Sequence, residues 1–125
     1  MSMEKVDAFE KLKCWMAARE LVALVYSACG QGQLARDFET RSQIKRAALS
    51  VMNNIAEGFG RGSDKEFLRF LDISQSSAME VKSIGYVLSD LKYIPESSIV
   101  AIMLKAEETK SLTRGLMRHL KSKIN

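Results

Sequence analysis

The sequence predicts an all-α fold, an antiparallel up-down-up-down four-helix bundle, and three observations support this. The 125 residues include one Pro and seven Gly, too few turn-forming residues for an all-β fold. These breakers cluster around positions 30–32, 58–63 and 94–98, and they divide the chain into four segments of helical length. Apolar side chains recur about once per helical turn in each segment, and short connections favour antiparallel neighbours. We therefore expect residues 1–125 to form a single domain.

The first helix is predicted from about Glu4 to Cys29, and it is apolar on more than one face. A helix with so wide an apolar surface needs cover on both sides, so we expect a second copy of the chain to pack against it. The alternative is that its alanines are simply good helix formers that tolerate water. The apolar run is too short and too interrupted to span a bilayer, so no membrane partner is expected.

Three further helices are predicted over residues 37–59, 63–93 and 95–125. Glycines at positions 58, 60 and 62 are expected to end the second helix, because Gly suits the left-handed position after a helix. The third helix opens at Ser63, an N-cap followed three residues later by a glutamate, which is the pattern of a capping box. The fourth opens at Pro95, a residue favoured in the first helical turn.

The sequence indicates no catalytic residue, no metal site and no cofactor. A di-metal site in a bundle needs Glu-x-x-His pairs, but the only histidine, His119, has Leu116 at that spacing. We interpret Cys14 and Cys29 as small core residues, since two widely spaced cysteines match neither a zinc site nor a disulfide framework. The glycines after the second helix lack the features of a phosphate-binding loop. With no segment resembling a signal peptide, a cytoplasmic location is expected.

Polar side chains stack along one face of the second helix and recur in the middle of the third. Ser and Asn are poor residues for the middle of a helix, because they compete for backbone hydrogen bonds. The set is either a solvated face or a partly buried network that fixes helix register or a subunit contact. Arg46 and Glu57 are also a plausible charge pair, since they lie three turns apart on the same face, but a direct bond between them would need a bridging side chain or a neighbouring subunit. The set comprises Arg46, Ser50, Asn53 and Glu57 on the second helix and Ser77 and Glu80 on the third.

Basic side chains line one face of the last helix, in a chain whose net charge is +4. No acidic residue follows Thr109. Cations near a helix C-terminus are favoured by the helix dipole, which is the simplest explanation. Clustered Lys and Arg on one face are also the pattern that contacts nucleic-acid phosphates. The candidate nucleic-acid contacts are Lys110, Arg114, Arg118 and Lys121, followed by Lys45, Arg46 and Arg61.

The segment from Gln43 to Gly58, QIKRAALSVMNNIAEG, resembles the signature of a family of bacterial four-helix-bundle proteins encoded within intervening sequences of large-subunit rRNA genes. The residues Phe67, Phe70 and Leu71 and the segment 76–80 resemble a second block of that family. The resemblance implies a homopentameric ring of four-helix bundles. The family is similar in fold to the accessory variability protein of diversity-generating retroelements, which implies a basic surface for nucleic acid and a reverse transcriptase as a possible protein partner.

These observations together predict a non-enzymatic, homo-oligomeric helical bundle that binds nucleic acid through basic helix surfaces. RNA is the nucleic acid that we expect it to bind. The alternative is a protein–protein adaptor or scaffold ring that does not bind nucleic acid. The two differ in salt dependence, because contacts to phosphates weaken steeply as salt rises.

Overall fold

A computed structural model describes residues 6–124 and consists mainly of four long helices. Helix α1 spans Lys13–Ala28, α2 spans Phe38–Phe59, α3 spans Asp64–Asp90 and α4 spans Glu96–Ile124. Each helix packs against its neighbours in sequence, and α1 also packs against α4. The α1–α2 pair therefore lies opposite the α3–α4 pair in a closed, four-sided bundle. The described residues contain no strand, and the predicted all-α four-helix bundle is confirmed.

Cross-helix contacts show that α2 and α3 run in opposite directions. The hydroxyl oxygens of Ser50 on α2 and Ser77 on α3 are 2.7 Å apart. Seven residues earlier on α2, the Gln43 amide donates to the Glu80 carboxylate at 3.2 Å, three residues later on α3. Position numbers fall along one helix as they rise along the other, as an up-down arrangement requires. No helix within residues 6–124 is long and apolar enough to cross a membrane.

Helix α1 starts later than the sequence predicted. Glu4 lies outside the described residues, and the prediction is wrong for residues 6–12, which are not α-helical. A short 3-10 turn spans Phe9–Lys11, and Leu12 is extended, with a ψ of 127°. The ring of Phe9 packs edge-on against Trp15 at 5.1 Å between centroids. The apolar residues before α1 thus continue its apolar periodicity towards the N-terminus. They cover the bundle from an irregular segment and not from a helix.

The other helix ends follow local signals more closely. The Ser63 hydroxyl accepts the backbone N–H of Glu66 at 3.1 Å, so the predicted N-cap of α3 is confirmed. Helix α3 ends at Asp90, three residues before the predicted end, and Lys92 adopts a left-handed φ of 53° in the connection that follows. Helix α4 begins one residue after Pro95.

Gly58 does not end α2, contrary to the sequence-based expectation. The helix continues through Gly58 to Phe59, and Gly60 caps it with an ordinary right-handed φ of −78°. Of the three glycines only Gly62 is left-handed, with a φ of +81°. A Cβ on Gly58 would lie 2.6 Å from the Cβ of Phe70 on α3. This glycine is therefore needed for the close approach of two helices, which single-segment reasoning does not detect.

Asp37 links both connections at one end of the bundle. Its carboxylate accepts hydrogen bonds from the backbone N–H and the hydroxyl of Thr40, at 3.0 and 2.8 Å, and so caps α2. It also accepts one from the Tyr93 hydroxyl, in the connection between α3 and α4, at 3.0 Å. The bonds from Thr40, the backbone one foremost, lower the pKa of Asp37, with the Tyr93 bond adding to the effect.

An Asp37→Asn variant is expected to be less stable than the wild type at pH 7, with a difference that shrinks on acidification. A carboxyl whose pKa is lowered by folding stabilises the fold above its unfolded pKa, and this contribution disappears as pH falls through the folded pKa. The window therefore lies below about pH 4, the ordinary range of Asp. Urea midpoints measured from pH 7 to pH 3 test this, and a pH-independent difference would contradict it.

Candidate nucleic-acid interface

The four basic residues predicted on the last helix all lie on α4, but they differ in their electrostatic surroundings. Lys110 lies 3.8 Å from Glu107, and only 16% of its side chain is exposed. Glu107 is also bonded to Lys82 of α3 at 2.5 Å. The hydrogen bond from Lys82, and then the charge of Lys110, lower the pKa of Glu107. Lys110 is thus part of a local ion cluster rather than a free cation.

The remaining three, Arg114, Arg118 and Lys121, are exposed. Within the described residues they make no ion pair, whereas the other lysines of α4 are paired, as in the 3.3 Å contact of Lys123 with Asp64. Their spacing of four and three residues keeps them on neighbouring turns of one face. We call these three side chains the α4 basic surface.

The other predicted contacts, Lys45, Arg46 and Arg61, lie on other faces of the bundle. Lys45 points towards α1, with its ammonium 4.8 Å from the ring centroid of Tyr26. Arg46, the next residue, points the other way and lines the groove between α2 and α3. Arg61 lies beyond the end of α2 and close to α3. The seven predicted residues therefore do not form one continuous patch in a single protomer.

A small polar network does connect α2 and α3, although its membership differs from the predicted one. Ser50 and Ser77 form its centre, and the amide of Asn54 donates to the Ser50 hydroxyl at 3.0 Å and to its carbonyl at 2.8 Å. Asn53 is exposed on α2. One helical position is a rotation of about 100°, so a single step decides which asparagine faces α3. Below this centre, the buried Ser74 hydroxyl donates to the carbonyl of Val51 at 2.8 Å.

Arg46 and Glu57 form no charge pair within the protomer, and both residues are exposed. The Arg46 guanidinium donates to the Ser42 hydroxyl at 2.8 Å, while Glu57 pairs with Arg61 at 3.1 Å. Side chains four residues apart are neighbours on a helix, whereas eleven residues correspond to about 16 Å along its axis. Each charged side chain therefore binds its local neighbour.

The two cysteine thiols are buried and of low reactivity. Burial raises the pKa of the Cys14 thiol to about 11, and burial likewise raises the pKa of Cys29. Both thiols are therefore protonated at neutral pH and are weak nucleophiles. His119 lies at the opposite end of the bundle from Cys29, in a cavity lined mainly by apolar residues. Among residues 6–124 no three His, Cys, Asp or Glu side chains are grouped to hold a metal.

The apolar surface that the sequence placed on the first helix is largely covered within the protomer. Leu21 and Val25 of α1 are fully buried, and Trp15, Val22 and Leu24 pack partly against the core. The exposed apolar surface that we expected on this helix is therefore mostly absent, because α2 and α4 flank the helix on both sides.

The exposed apolar side chains concentrate on α3 and α4 instead. Tyr86, Val100 and Leu104 line one end of the groove between these helices, around a cavity of about 230 Å³. Tyr86 is 62% exposed and Leu104 is 67% exposed. Single exposed apolar residues are common, but adjoining ones on two helices are typical of contact surfaces. We call these three residues the α3–α4 apolar patch.

Comparison with known proteins gives one family and one fold. Residues 10–115 match the family model described as 23S rRNA-intervening sequence protein. Among solved structures, the chain is similar to a protein of unknown function from the S23 ribosomal protein family of Bacteroides thetaiotaomicron. The TM-score is 0.75 at 19% identity, covering 84% of this chain and 95% of that chain, so this likeness shows the fold alone. A comparison with curated proteins gives no match.

Proposed function

Because this chain belongs to the 23S rRNA-intervening sequence protein family, we propose that it is a non-enzymatic bundle that binds RNA. The observation that carries the proposal is the α4 basic surface. Its three cations are exposed and lack ion-pair partners within the described residues, while Lys105, Lys110 and Lys123 of the same helix are paired. Unpaired cations on one rigid face are free to replace the counterions around phosphates, which is the main source of sequence-independent affinity.

The geometry of the surface suits a phosphate backbone. From Arg114 to Lys121 the surface extends about 10 Å along the helix axis, at about 1.5 Å per residue. Two of the three side chains are arginines, whose planar guanidinium can bind a phosphate through two hydrogen bonds. Lys121 adds a point charge in the last turns. The contact would be directed by charge and shape, without reading of base identity.

Charge reversal on this surface tests the proposal. An Arg114→Glu/Arg118→Glu variant is expected to bind RNA at least about tenfold more weakly at low salt and to reduce the salt slope by about 1.4 for a single strand, since each phosphate contact contributes about 0.7. Affinity is measured by titration with labelled RNA across a salt series. The matched control is Lys65→Glu/Lys92→Glu, which changes the net charge equally at exposed positions elsewhere.

The control variant is expected to retain most of the affinity, because only the long-range part of the field changes. Equal weakening by both double variants would mean that overall charge, and not the α4 basic surface, attracts RNA. An unchanged affinity of the Arg114→Glu/Arg118→Glu variant, or no binding by the wild type, would remove the proposal. Binding of a protein partner that is insensitive to salt, with no affinity for RNA, would favour the adaptor alternative.

We further propose that the protein is a homo-oligomer, with the pentamer implied by the family resemblance as the expected state, and that the α3–α4 apolar patch is part of the self-contact. The patch supports this because Tyr86, Val100 and Leu104 adjoin each other on two neighbouring helices and are left in water by the single protomer. Burying one such side chain is worth about 1.5–3 kcal/mol. A mass of one chain in solution would contradict the proposal.

A further inference from the structure

The face formed by α1 and α2 carries basic side chains placed on aromatic rings. Each of three cations lies within 6 Å of a ring centroid, the range of a cation–π contact. Two of the aromatic residues are well exposed, Tyr26 at 43% and Phe38 at 70%. The pairs, with distances from cation to ring centroid, are Arg19 over Trp15 at 5.7 Å, Lys45 over Tyr26 at 4.8 Å and Arg41 over Phe38 at 5.8 Å. We call these six residues the α1–α2 aromatic face.

Two of the three acidic side chains on these helices, Glu20 and Glu57, are paired elsewhere, and the third, Glu39, is exposed next to Phe38 in the first turn of α2. Glu20 of α1 pairs with Lys105 of α4 at 2.7 Å, and Glu57 of α2 pairs with Arg61 at 3.1 Å. Asp37 is bound by Thr40 and Tyr93. In the part of the chain that the structure describes, the three cations of the α1–α2 aromatic face make no ion pair. The face therefore presents positive charge together with aromatic surface.

Positive charge interleaved with exposed aromatic rings is the chemistry that binds single-stranded nucleic acid. The cations hold phosphates while unpaired bases stack on the rings, and every base has a face that can stack. In a duplex the bases are already stacked on each other, so no free base is available to stack on the aromatic rings. Cations alone, as on the α4 basic surface, bind both forms.

We infer that the α1–α2 aromatic face binds an unpaired segment of RNA, with bases stacking on Tyr26 and Phe38 and phosphates held by Lys45 and Arg41. This inference rests on the proposed function, since it assumes that RNA is the ligand. It adds a preference for unpaired RNA that the α4 basic surface does not supply. The face lies on the α1–α2 side of the bundle, opposite the α3–α4 pair that carries the α3–α4 apolar patch.

A comparison of unpaired and duplex RNA tests the inference. The probes are an unstructured oligouridylate and an RNA duplex with the same number of phosphates, titrated with the full chain at one salt concentration. A Tyr26→Ala/Phe38→Ala variant is expected to lose about tenfold or more in affinity for the oligouridylate, the effect of removing one or two stacking platforms. Its affinity for the duplex is expected to stay within about twofold, because no base is available for stacking.

The matched control is Ile73→Ala/Met79→Ala, which removes two exposed apolar side chains from α3. This control is expected to bind both probes as the wild type does, and a Phe38→Trp variant is expected to retain the preference for oligouridylate. Equal affinity of the Tyr26→Ala/Phe38→Ala variant and the wild type for oligouridylate would overturn the inference. If the Arg114→Glu/Arg118→Glu variant still binds RNA more weakly than the wild type in that case, the proposed function is retained without this inference. No binding of either probe by the wild type would overturn both.

Discussion

Replacing Gly58 by valine is expected to lower the free energy of unfolding by about 3 kcal/mol, the upper part of the usual range for overpacking a core. Even a Cβ at this position would lie 2.6 Å from the Cβ of Phe70 and 3.0 Å from the Cδ1 of Phe67. The Cβ of Phe70 is fixed to the backbone of α3, so no change of rotamer relieves the contact. Helix α3 must therefore move away from α2, which opens the interface around Ser74 and Val51.

The control is the same substitution two residues later. A Cβ on Gly60 would meet only backbone oxygens at 3.6 and 3.8 Å, at an exposed position with an ordinary φ. Gly60→Val is therefore expected to change stability by about 0.5 kcal/mol or less, as surface substitutions usually do. Urea denaturation followed by circular dichroism measures both variants. Equal urea midpoints for the two would show that close approach of α2 and α3 is not what requires Gly58.

Local chemistry explains why much of the fold can be predicted from the sequence. The cap at Ser63 depends on atoms within three residues, and the bundle follows from apolar periodicity in four segments. The role of Gly58 depends on Phe70, a residue of another helix, so the sequence around the glycine indicates only a helix end. The start of α1 differs from the predicted one for a similar reason. Phe9 and Leu12 continue the apolar period, yet they cover the bundle from outside the helix.

The candidate site follows the same division between local and long-range information. The spacing of Arg114, Arg118 and Lys121 is enough to place them on one face. The pair between Lys110 and Glu107 joins residues three positions apart, which the sequence shows, whereas the bond from Lys82 of α3 to the same Glu107 is seen only in the structure. In two pairs of the α1–α2 aromatic face, Trp15 with Arg19 and Phe38 with Arg41, a basic residue follows an aromatic one by four or three positions, which the sequence shows. The third pair, Tyr26 with Lys45, joins two helices, so the sequence around either residue does not indicate it.

Neighbouring positions in a helix point in different directions, and this limits prediction of the site most strongly. Lys45 and Arg46 are adjacent in sequence and were both predicted to contact phosphates. Lys45 contacts Tyr26 of α1, while Arg46 lines the groove towards Glu80 of α3. Only the structure shows which neighbouring helix each of these two cations faces, and it places them on different faces of the bundle.

A Leu104→Glu variant is expected to convert the proposed oligomer to single chains. Leu104 is 67% exposed in the protomer and belongs to the α3–α4 apolar patch, so self-contact there would bury it. A carboxylate in its place would have to lose its hydration without a partner, which costs several kcal/mol at each contact of a ring. Light scattering or sedimentation gives the mass of the particle.

The matched control is Met16→Glu, which places the same charge at an exposed apolar position on α1. This variant is expected to keep the mass of the wild type. If instead Met16→Glu dissociates the particle and Leu104→Glu does not, the self-contact involves α1, as the sequence alone suggested. A wild type that is already a single chain would rule out both contacts.

Dissociation is also expected to weaken binding of long RNA, although Leu104 is remote from the α4 basic surface. Leu104 and Arg118 are fourteen residues apart, which is about 21 Å along the helix axis. The expected loss of affinity therefore does not require Leu104 itself to contact the phosphates that Arg118 binds. Several linked copies bind one strand with an avidity that exceeds the affinity of a single copy by about 10²–10⁴-fold. Leu104→Glu should therefore lower affinity for an RNA long enough to reach several protomers, and leave affinity for a short oligonucleotide unchanged. A loss of equal size for both lengths would mean that the substitution acts within the protomer, and the link between assembly and RNA binding would fail.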